Sequence, residues 1–113
     1  MTFPRLAILF VIGLVLFVWG FRSGGLPEVS ARDISPDHDV VLFTTTWCGY
    51  CEQSRRWLRR NDIAFIEFDI DASDANRSRF EELNGRGVPL AYFGNQRVQG
   101  FSADLYRDAV DRL

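Results

Sequence analysis

The sequence predicts an α/β fold in which a mixed sheet is flanked by helices, in the order βαβαββα. Two of its runs have the composition of strands: the continuous apolar run Val40–Thr44 and the alternating run Ala64–Ile70. A segment with helical periodicity separates them, and a helical crossover implies that the two strands pair in parallel. Later in the chain, the turn residues Gly94-Asn95 separate two short runs and predict a hairpin, which adds an antiparallel edge.

The amino-terminal segment differs sharply in composition from the rest of the 113-residue chain. Arg5 and Arg22 bracket Leu6–Phe21, a run without any charge. As a helix this run would extend about 24 Å, short of a hydrocarbon core of about 30 Å; Trp19 and the flanking arginines would make up the difference. We interpret residues 1–22 as a transmembrane signal anchor. A cleaved signal peptide and a buried core helix are the alternatives.

This interpretation predicts a single-pass membrane protein that is attached through Leu6–Phe21. The arginines before and after the run nearly balance, so charge does not fix the orientation. Short amino-terminal anchors commonly export the domain that they precede, and the folded domain is therefore predicted to face the periplasm. Residues 23–39 are rich in Gly, Ser, Pro and Asp and are predicted to form a flexible linker. The folded domain is then residues 40–113.

The first helix of the domain is predicted over Tyr50–Asn61, after a turn that follows Val40–Thr44. Trp57 and Leu58 are expected to face inward. The arginines of this helix are interpreted as a solvated face: Arg55, Arg56, Arg59 and Arg60.

The second helix is predicted to begin after Ser73, a capping residue, and to run to Leu83. Phe80 and Leu83 are expected to face inward. Asn84-Gly85 would stop this helix, because both residue types tolerate the left-handed conformation that ends helices.

The third strand is predicted over Leu90–Phe93, and the hairpin leads from it to a short fourth strand, Arg97–Gln99. Ser102 is expected to cap the last helix. The apolar stripe of this helix is predicted to consist of Leu105, Ala109, Val110 and Leu113.

Composition excludes several classes of function. With 47% hydrophobic and 14% aromatic residues the chain is too apolar to be disordered. The net charge of −2 comes from mixed charges without a basic stripe, so no nucleic-acid partner is predicted. The single histidine, His38, stands in a polar stretch without a partner. We expect a monomer.

The two cysteines, Cys48 and Cys51, are separated by two residues. A disulfide between them would close a very small loop and constrain the unfolded chain little, so reactivity explains the pair better than stapling. Structural zinc normally needs four ligands, and no second cysteine or histidine pair is present; no metal site is therefore predicted. A metal or iron–sulfur cluster shared between two chains, and a non-catalytic adaptor, are the alternatives.

The position of Cys48 predicts a nucleophile. It falls where the first strand ends and a helix begins, and there unpaired backbone N–H groups and the helix dipole favour thiolate. Cys51 follows within one helical turn, close enough to resolve a mixed disulfide that Cys48 has formed. The sequence therefore predicts an enzyme, a thiol–disulfide oxidoreductase.

Residues 40–113 resemble the glutaredoxin family of the thioredoxin-like fold. The resemblance rests on VVLFTTTWCGYC, on Arg86-Gly87-Val88-Pro89 and on the Gly100-Phe101 turn before the last helix. It implies that Pro89 follows a cis peptide bond and faces the cysteines, and that the backbone of Val88 binds a peptide or glutathione. It also implies protein disulfides as substrates and glutathione as a possible co-substrate, with no other cofactor.

The predicted substrate-binding or glutathione-binding surface consists of Trp47, Tyr50, Val88, Pro89, Gly100 and Phe101. For Trp47 and Tyr50 a plain packing role is the alternative. The chain departs from the family pattern between the cysteines, where Gly49 replaces proline, and at Gly87, where glutaredoxins often have threonine. It also lacks the Gly-Gly pair that helps hold the γ-glutamyl end of glutathione, and in this part it is closer to the redoxins that serve ribonucleotide reductase.

Overall fold

The computed structural model of the protein describes residues 11–12 and 28–113. Its elements are α1 (Ala31–Ile34), β1 (Val40–Thr44), α2 (Gly49–Arg60), β2 (Ile66–Asp69), α3 (Asp74–Glu82), β3 (Leu90–Phe93), β4 (Gln96–Gln99) and α4 (Ala103–Asp111). The strands form one mixed sheet in the order β2-β1-β3-β4. The predicted α/β class and the order βαβαββα within residues 40–113 are confirmed.

Strand β1 lies at the centre of the sheet. It pairs in parallel with β2, where Val41 lies opposite Ile66, and antiparallel with β3, where Val41 lies opposite Tyr92. Strand β4 is the antiparallel edge that the hairpin supplies, and its turn contains Gly94 with a φ of 58°. All five residues of β1 are buried, because the strand is paired on both edges and covered on both faces.

Helices cover both faces of the sheet and enclose two hydrophobic clusters. The first lies beneath α1 and α3 and contains Ala31, Ile34, Val41, Phe43, Ile70, Phe80, Leu90 and Tyr92. The second lies beneath α2 and α4 and contains Val40, Leu42, Leu58, Ala91, Phe93, Val98, Tyr106 and Ala109. The alternation of β1 and β3 side chains between the two faces produces this division.

The predicted helix starts are confirmed at two serines. The hydroxyl of Ser73 accepts a hydrogen bond from the N–H of Asn76 at 3.1 Å, and the hydroxyl of Ser102 accepts one from the N–H of Leu105 at 3.4 Å. The predicted end of α3 is confirmed as well. Asn84 has a φ of 56°, in the left-handed region that ends helices.

The predicted linker contains a short helix that the sequence did not indicate. Helix α1 buries Ala31 and Ile34 in the first cluster. The N–H of Ala31 donates to the carbonyl of Gly94 at 2.7 Å, and the guanidinium of Arg79 donates to the carbonyl of Ile34 at 2.9 Å. Contacts with the β3–β4 turn and with α3 therefore hold this segment, which by itself is too short to be stable as a helix.

The inward face of α4 also differs from the prediction. Leu105 and Leu113 were expected in the apolar stripe but are 54% and 56% exposed. Tyr106 is fully buried instead, and Ala109 completes the inward face as predicted. Tyr106 takes the place expected for Leu105, because its large ring fills the space against Phe93, with ring centroids 4.9 Å apart, and Val110 packs against the same cluster as predicted.

None of the helices within residues 11–12 and 28–113 combines the length and the apolar composition needed to cross a bilayer. A spanning helix needs about 20 predominantly apolar residues, whereas α2, the longest helix of this part of the chain, has 12 and carries four arginines. This finding contradicts the predicted localisation, a single-pass membrane protein with its catalytic domain in the periplasm. Of the segment interpreted as the anchor, only Val11 and Ile12 belong to the described residues.

Candidate active site

Cys48 occupies the capping position at the amino end of α2. Its backbone is extended, with φ −92° and ψ 116°, and its Sγ accepts a hydrogen bond from the N–H of Cys51 at 3.2 Å. The sulfur thereby takes the place that a serine or aspartate oxygen takes in an ordinary cap. A half-buried sulfur at a helix start, with a backbone N–H directed at it, is well placed to carry negative charge.

Cys51 lies one turn further along α2 and is fully buried. Both cysteines are free thiols. Burial is the main cause that raises the pKa of Cys51, to about 12, and its hydrogen bond with Cys48 acts in the same direction. Cys51 therefore keeps its proton at neutral pH and can donate to the sulfur of Cys48. The two sulfurs have different environments, as a nucleophile and a resolving thiol require.

The segment before β3 brings a backbone carbonyl close to the sulfur of Cys48. The Val88–Pro89 peptide bond is cis, and the carbonyl oxygen of Val88 lies 3.8 Å from the Sγ of Cys48. Pro89 is buried, and its own carbonyl accepts a hydrogen bond from the N–H of Gly100 at 2.8 Å. Gly100 has a φ of 81°, which favours glycine at this position. The structure thus brings Val88, Pro89 and Gly100 together beside the cysteines.

The two aromatic residues that flank Cys48 face solvent. Trp47 is 79% exposed and Tyr50 is 64% exposed, so neither packs in the core. The indole N–H of Trp47 donates to the Asp71 carboxylate at 3.2 Å, which fixes the ring beside the site. Exposed aromatic side chains next to a nucleophile form an apolar surface that a substrate can cover.

Phe101 is placed differently from the other predicted binding residues. Its ring packs edge-on against Tyr106, with centroids 5.2 Å apart, within the α2–α4 side of the core. It also borders a groove of about 210 Å³ whose other lining residues come from α2: Gln53, Arg56, Trp57 and Arg60. Phe101 therefore contributes to the core and to this groove, and none of these contacts involves either cysteine.

Ser54 and Tyr106 support the first turn of α2, and the sequence analysis did not identify them. The hydroxyl of Ser54 donates to the carbonyl of Tyr50 at 3.0 Å and lies 2.9 Å from the hydroxyl of Tyr106. A serine has only one proton to donate, so the Tyr106 hydroxyl is the donor to Ser54. Burial raises the pKa of Tyr106 to about 12. Through Ser54, helix α4 is thereby connected to Tyr50, one of the two residues between the cysteines.

Arg55 and Glu67 lie under the loop that carries Cys48. Both oxygens of the Glu67 carboxylate accept from the Arg55 Nε, at 2.6 and 2.8 Å. Arg55 was predicted to be solvated with the other arginines of α2, but only 19% of its side chain is exposed. The sequence spacing could have pointed to these residues. Ser54 and Arg55 stand three and four residues after Cys51 and therefore share its helix face.

Within residues 11–12 and 28–113, no three side chains of His, Cys, Asp or Glu come together as a group that could hold a metal ion. His38 has a side-chain partner here, since its Nδ1 lies 2.9 Å from the hydroxyl of Ser35. The absence of a metal site stays a prediction from the sequence.

Comparisons with known proteins agree with this geometry. Residues 40–98 match the protein family described as Glutaredoxin. A glutaredoxin of Neisseria meningitidis serogroup B is 36% identical over 70 residues, which are 60% of this chain and 81% of the relative.

Two solved structures share the fold. The complex of buckwheat glutaredoxin with glutathione has a TM-score of 0.56 at 20% identity, and the alignment covers 74% of this chain and 79% of that one. The glutaredoxin-like protein NrdH-redoxin from Escherichia coli also has a TM-score of 0.56, at 17% identity, with coverage of 61% and 91%. The chain therefore belongs to the glutaredoxin family and is a thiol–disulfide oxidoreductase with a thioredoxin-like fold.

Proposed function

We propose that this protein reduces protein disulfides and glutathione mixed disulfides by a dithiol mechanism in which Cys48 attacks and Cys51 resolves. The observation that carries the proposal is the unequal setting of the two sulfurs. Cys48 is half-buried and accepts a backbone N–H, whereas Cys51 is fully buried and keeps its proton. In a shared site of this kind the accessible sulfur is the one that meets the substrate.

In the first step one half of the substrate disulfide becomes attached to Cys48. The thiolate of Cys48 attacks one sulfur of the substrate disulfide, a mixed disulfide forms, and the other substrate sulfur leaves as thiolate with the bonding electron pair. In the second step Cys51 loses its proton and attacks the sulfur of Cys48. The mixed disulfide breaks, the Cys48–Cys51 disulfide forms, and the remaining substrate sulfur leaves as thiolate and takes up a proton. Two electrons pass to the substrate, and a thiol reductant restores the dithiol.

The proposed binding surface surrounds the sulfur of Cys48. We assign to it the exposed rings of Trp47 and Tyr50 and the Val88–Pro89 backbone, whose carbonyl lies 3.8 Å from the sulfur. An extended peptide or glutathione would lie along Val88 as an added strand. Gly100 supports this surface through its hydrogen bond to Pro89, and we place Phe101 at its outer edge.

Glutathione as a ligand is supported by the fold that this chain shares with buckwheat glutaredoxin, whose structure contains glutathione. Gly87 stands where glutaredoxins often have threonine, so no side chain is available at this position to bind a ligand. Its carbonyl instead accepts a hydrogen bond from the Gln99 side chain at 2.8 Å. We therefore expect glutathione mixed disulfides to be held mainly through the Val88 backbone.

Two serine variants test the proposal with matched changes. Cys48→Ser removes the nucleophile and should reduce activity to background on a disulfide-containing peptide and on a glutathionylated peptide alike. Cys51→Ser should lose activity on the peptide disulfide but retain removal of glutathione, since free glutathione then resolves the mixed disulfide. Both activities are measured with glutathione as reductant. Full activity of the Cys48 variant would overturn the proposed mechanism. Failure of the unchanged protein to act on the glutathionylated peptide would remove glutathione mixed disulfides from the substrate list.

A further inference from the structure

The ion pair between Arg55 and Glu67 is unlike the other ion pairs of the described residues. Its side chains are only 19% and 26% exposed, whereas those of the Arg56–Glu52 pair on the same helix are 61% and 60% exposed. Exposed pairs contribute little because water and salt screen them, but a half-buried pair acts on its surroundings through a lower effective dielectric constant. The charge of Arg55 is therefore felt by neighbouring groups.

Hydrogen bonds fix this pair to the loop before the cysteines. The guanidinium of Arg55 donates to the carbonyl of Thr45 at 3.3 Å. The hydroxyl of Thr44 donates to the Glu67 carboxylate at 2.8 Å. Arg55 is thus held from β2, through Glu67, and from the end of β1, through Thr45. An arginine held by three hydrogen bonds to two residues has a defined position.

Cys51 lies on the same side of α2 as Arg55. Arg55 follows Cys51 by four residues, which places both side chains on one face of α2. The sulfur of Cys51 and the guanidinium of Arg55 both approach the backbone of Thr45. The charged or titratable groups that act on Cys51 are Cys48 from its own helix, Arg55, and Tyr106 from α4. Glu67 and Glu52 act on Arg55 in turn.

We propose that Arg55 is a positioning residue for the resolving step, in which its guanidinium stabilises the Cys51 thiolate as that thiolate forms. The inference rests on the dithiol mechanism proposed above. Cys51 must lose its proton to solvent before its sulfur can attack Cys48, so a thiolate exists for a short time inside a buried pocket. Arg55 supplies the positive charge that faces this pocket, and Glu67 holds the guanidinium in place.

The charge of Arg55 is expected to affect the rate of the resolving step. Burial raises the pKa of Cys51 to about 12, so its thiolate is scarce at neutral pH, and Arg55 opposes this shift. If the guanidinium stabilises the thiolate by about 1.4 kcal/mol, removing the charge lowers the thiolate fraction about tenfold. A more basic thiolate is also more nucleophilic, with a Brønsted coefficient of about 0.4–0.5, which restores about threefold. The net expectation is a resolving step that is about threefold slower.

The experiment follows both steps in one reaction with dithiobis(nitrobenzoate), an aromatic disulfide. In the full-length protein Cys48 releases the first thionitrobenzoate, and Cys51 releases the second from the resulting mixed disulfide. Stopped-flow absorbance resolves the two phases, and the second is recorded as a function of pH. The first phase shows whether the fold and the nucleophile are intact, so a failure of the dithiol mechanism is distinguished from a failure of the role of Arg55.

The variants separate charge from structural support. Arg55→Gln should slow the second phase about threefold at neutral pH and shift its pH profile upward, while Arg55→Lys should recover most of the rate. Glu67→Gln removes the compensating charge, but the glutamine oxygen can still accept from Arg55 and hold the guanidinium near Cys51, so the second phase should not become slower. Arg59→Gln, on the exposed side of the same helix, is the control and should change neither phase.

A purely structural role of the Arg55–Glu67 pair predicts a different result. If the pair only ties α2 to β2, then Arg55→Gln and Glu67→Gln should lower the free energy of unfolding together and leave the pH profile of the second phase unchanged. That result would overturn the proposal. An Arg55→Lys variant as slow as Arg55→Gln would overturn it as well, because the charge would then not be the active feature. Absence of any second phase in the unchanged protein would instead contradict the dithiol mechanism.

Discussion

The two ends of the first turn of α2 differ in every property that matters for thiol chemistry. At the amino end, Cys48 is half-buried, accepts a backbone N–H and lies between two exposed aromatic rings, those of Trp47 and Tyr50. One turn later, Cys51 is fully buried, and its surroundings include Ser54, Tyr106 and Arg55. The difference teaches that one short segment provides both an accessible sulfur and a protected one, as the proposed attacking and resolving roles require. The helix start produces the first environment, and packing against α4 and β2 produces the second.

The largest effect on stability is expected on the buried side, at Tyr106. Its ring is fully buried and contacts Phe93, Trp57 and Phe101 edge-on. Tyr106→Ala should lower the free energy of unfolding by about 3–5 kcal/mol, because a large cavity remains next to α2. Chemical denaturation of the reduced protein measures this loss.

Leu105→Ala is the matched control for that prediction, since Leu105 precedes Tyr106 in α4 but is 54% exposed. It should change the free energy of unfolding by less than about 0.5 kcal/mol. Tyr106→Phe keeps the ring and removes only the hydrogen bond to Ser54, so a loss of about 1 kcal/mol is expected. Equal losses for Tyr106→Ala and Leu105→Ala would show that the buried side of α2 is not supported by α4 in the way described.

The next effect concerns alkaline pH. The pKa values of Cys51 and Tyr106 are both raised to about 12 by burial, from ordinary values of 9.0 and 10.0. The unfolded chain therefore loses these protons first, and the stability that they contribute is complete below about pH 9 and falls as the pH rises toward 12. Tyr106 alone should account for a decline on the order of 2 kcal/mol. Unfolding by urea at a series of pH values in the presence of reductant measures it.

Substitutions on the buried and exposed sides of α2 should change this alkaline loss of stability differently. Tyr106→Phe and Cys51→Ala should each make the decline above pH 9 shallower. Tyr50→Phe, the same change on an exposed ring, should leave the decline as it is. A decline that none of these buried substitutions reduces would contradict the assignment of the two raised pKa values.

The smallest effect is expected on the accessible side, at Gly49. This residue begins α2, a position that proline favours, and open space surrounds the place where a side chain would start. Cys48 before it has the extended backbone that a following proline requires. Gly49→Pro should therefore raise the free energy of unfolding by about 0.4–1 kcal/mol through the reduced entropy of the unfolded chain.

The control for this substitution is another glycine with no free space. A side chain at Gly85 would begin 2.3 Å from the ring of Phe80. Gly85→Ala should therefore lower the free energy of unfolding by about 1–3 kcal/mol. If Gly49→Pro were as damaging as Gly85→Ala, the amino end of α2 would not have the open geometry described.

Much of the fold was predictable because local signals and burial agree in it. The predicted strands Val40–Thr44 and Leu90–Phe93 match the structure residue for residue. A short, continuous apolar run is typical of a strand that is paired on both edges and covered on both faces. Helix α1 was not predictable from Ser-rich and Pro-rich sequence. Its burial depends on the distant Gly94 and Arg79, which no local pattern reveals.

The two cysteines of the candidate site were predictable, but the residues that support them were not. Cys48 and Cys51 were identified from their spacing and from the predicted strand-to-helix junction. Their support was missed, because Glu67 reaches Arg55 from a strand and Tyr106 reaches Ser54 from the last helix. Contacts between elements decide such roles, and spacing within one helix only indicates which residues are available for them.

The division of labour between the two sulfurs is tested most directly by alkylation. The reduced full-length protein is treated with a limiting amount of iodoacetamide at neutral pH, and mass spectrometry of the peptides locates the modification. We expect the modification on Cys48, with Cys51 reacting only after denaturant unfolds the chain, because Cys51 is fully buried and retains its proton. Equal modification of the two cysteines in the folded protein, or preferential modification of Cys51, would contradict the proposed roles.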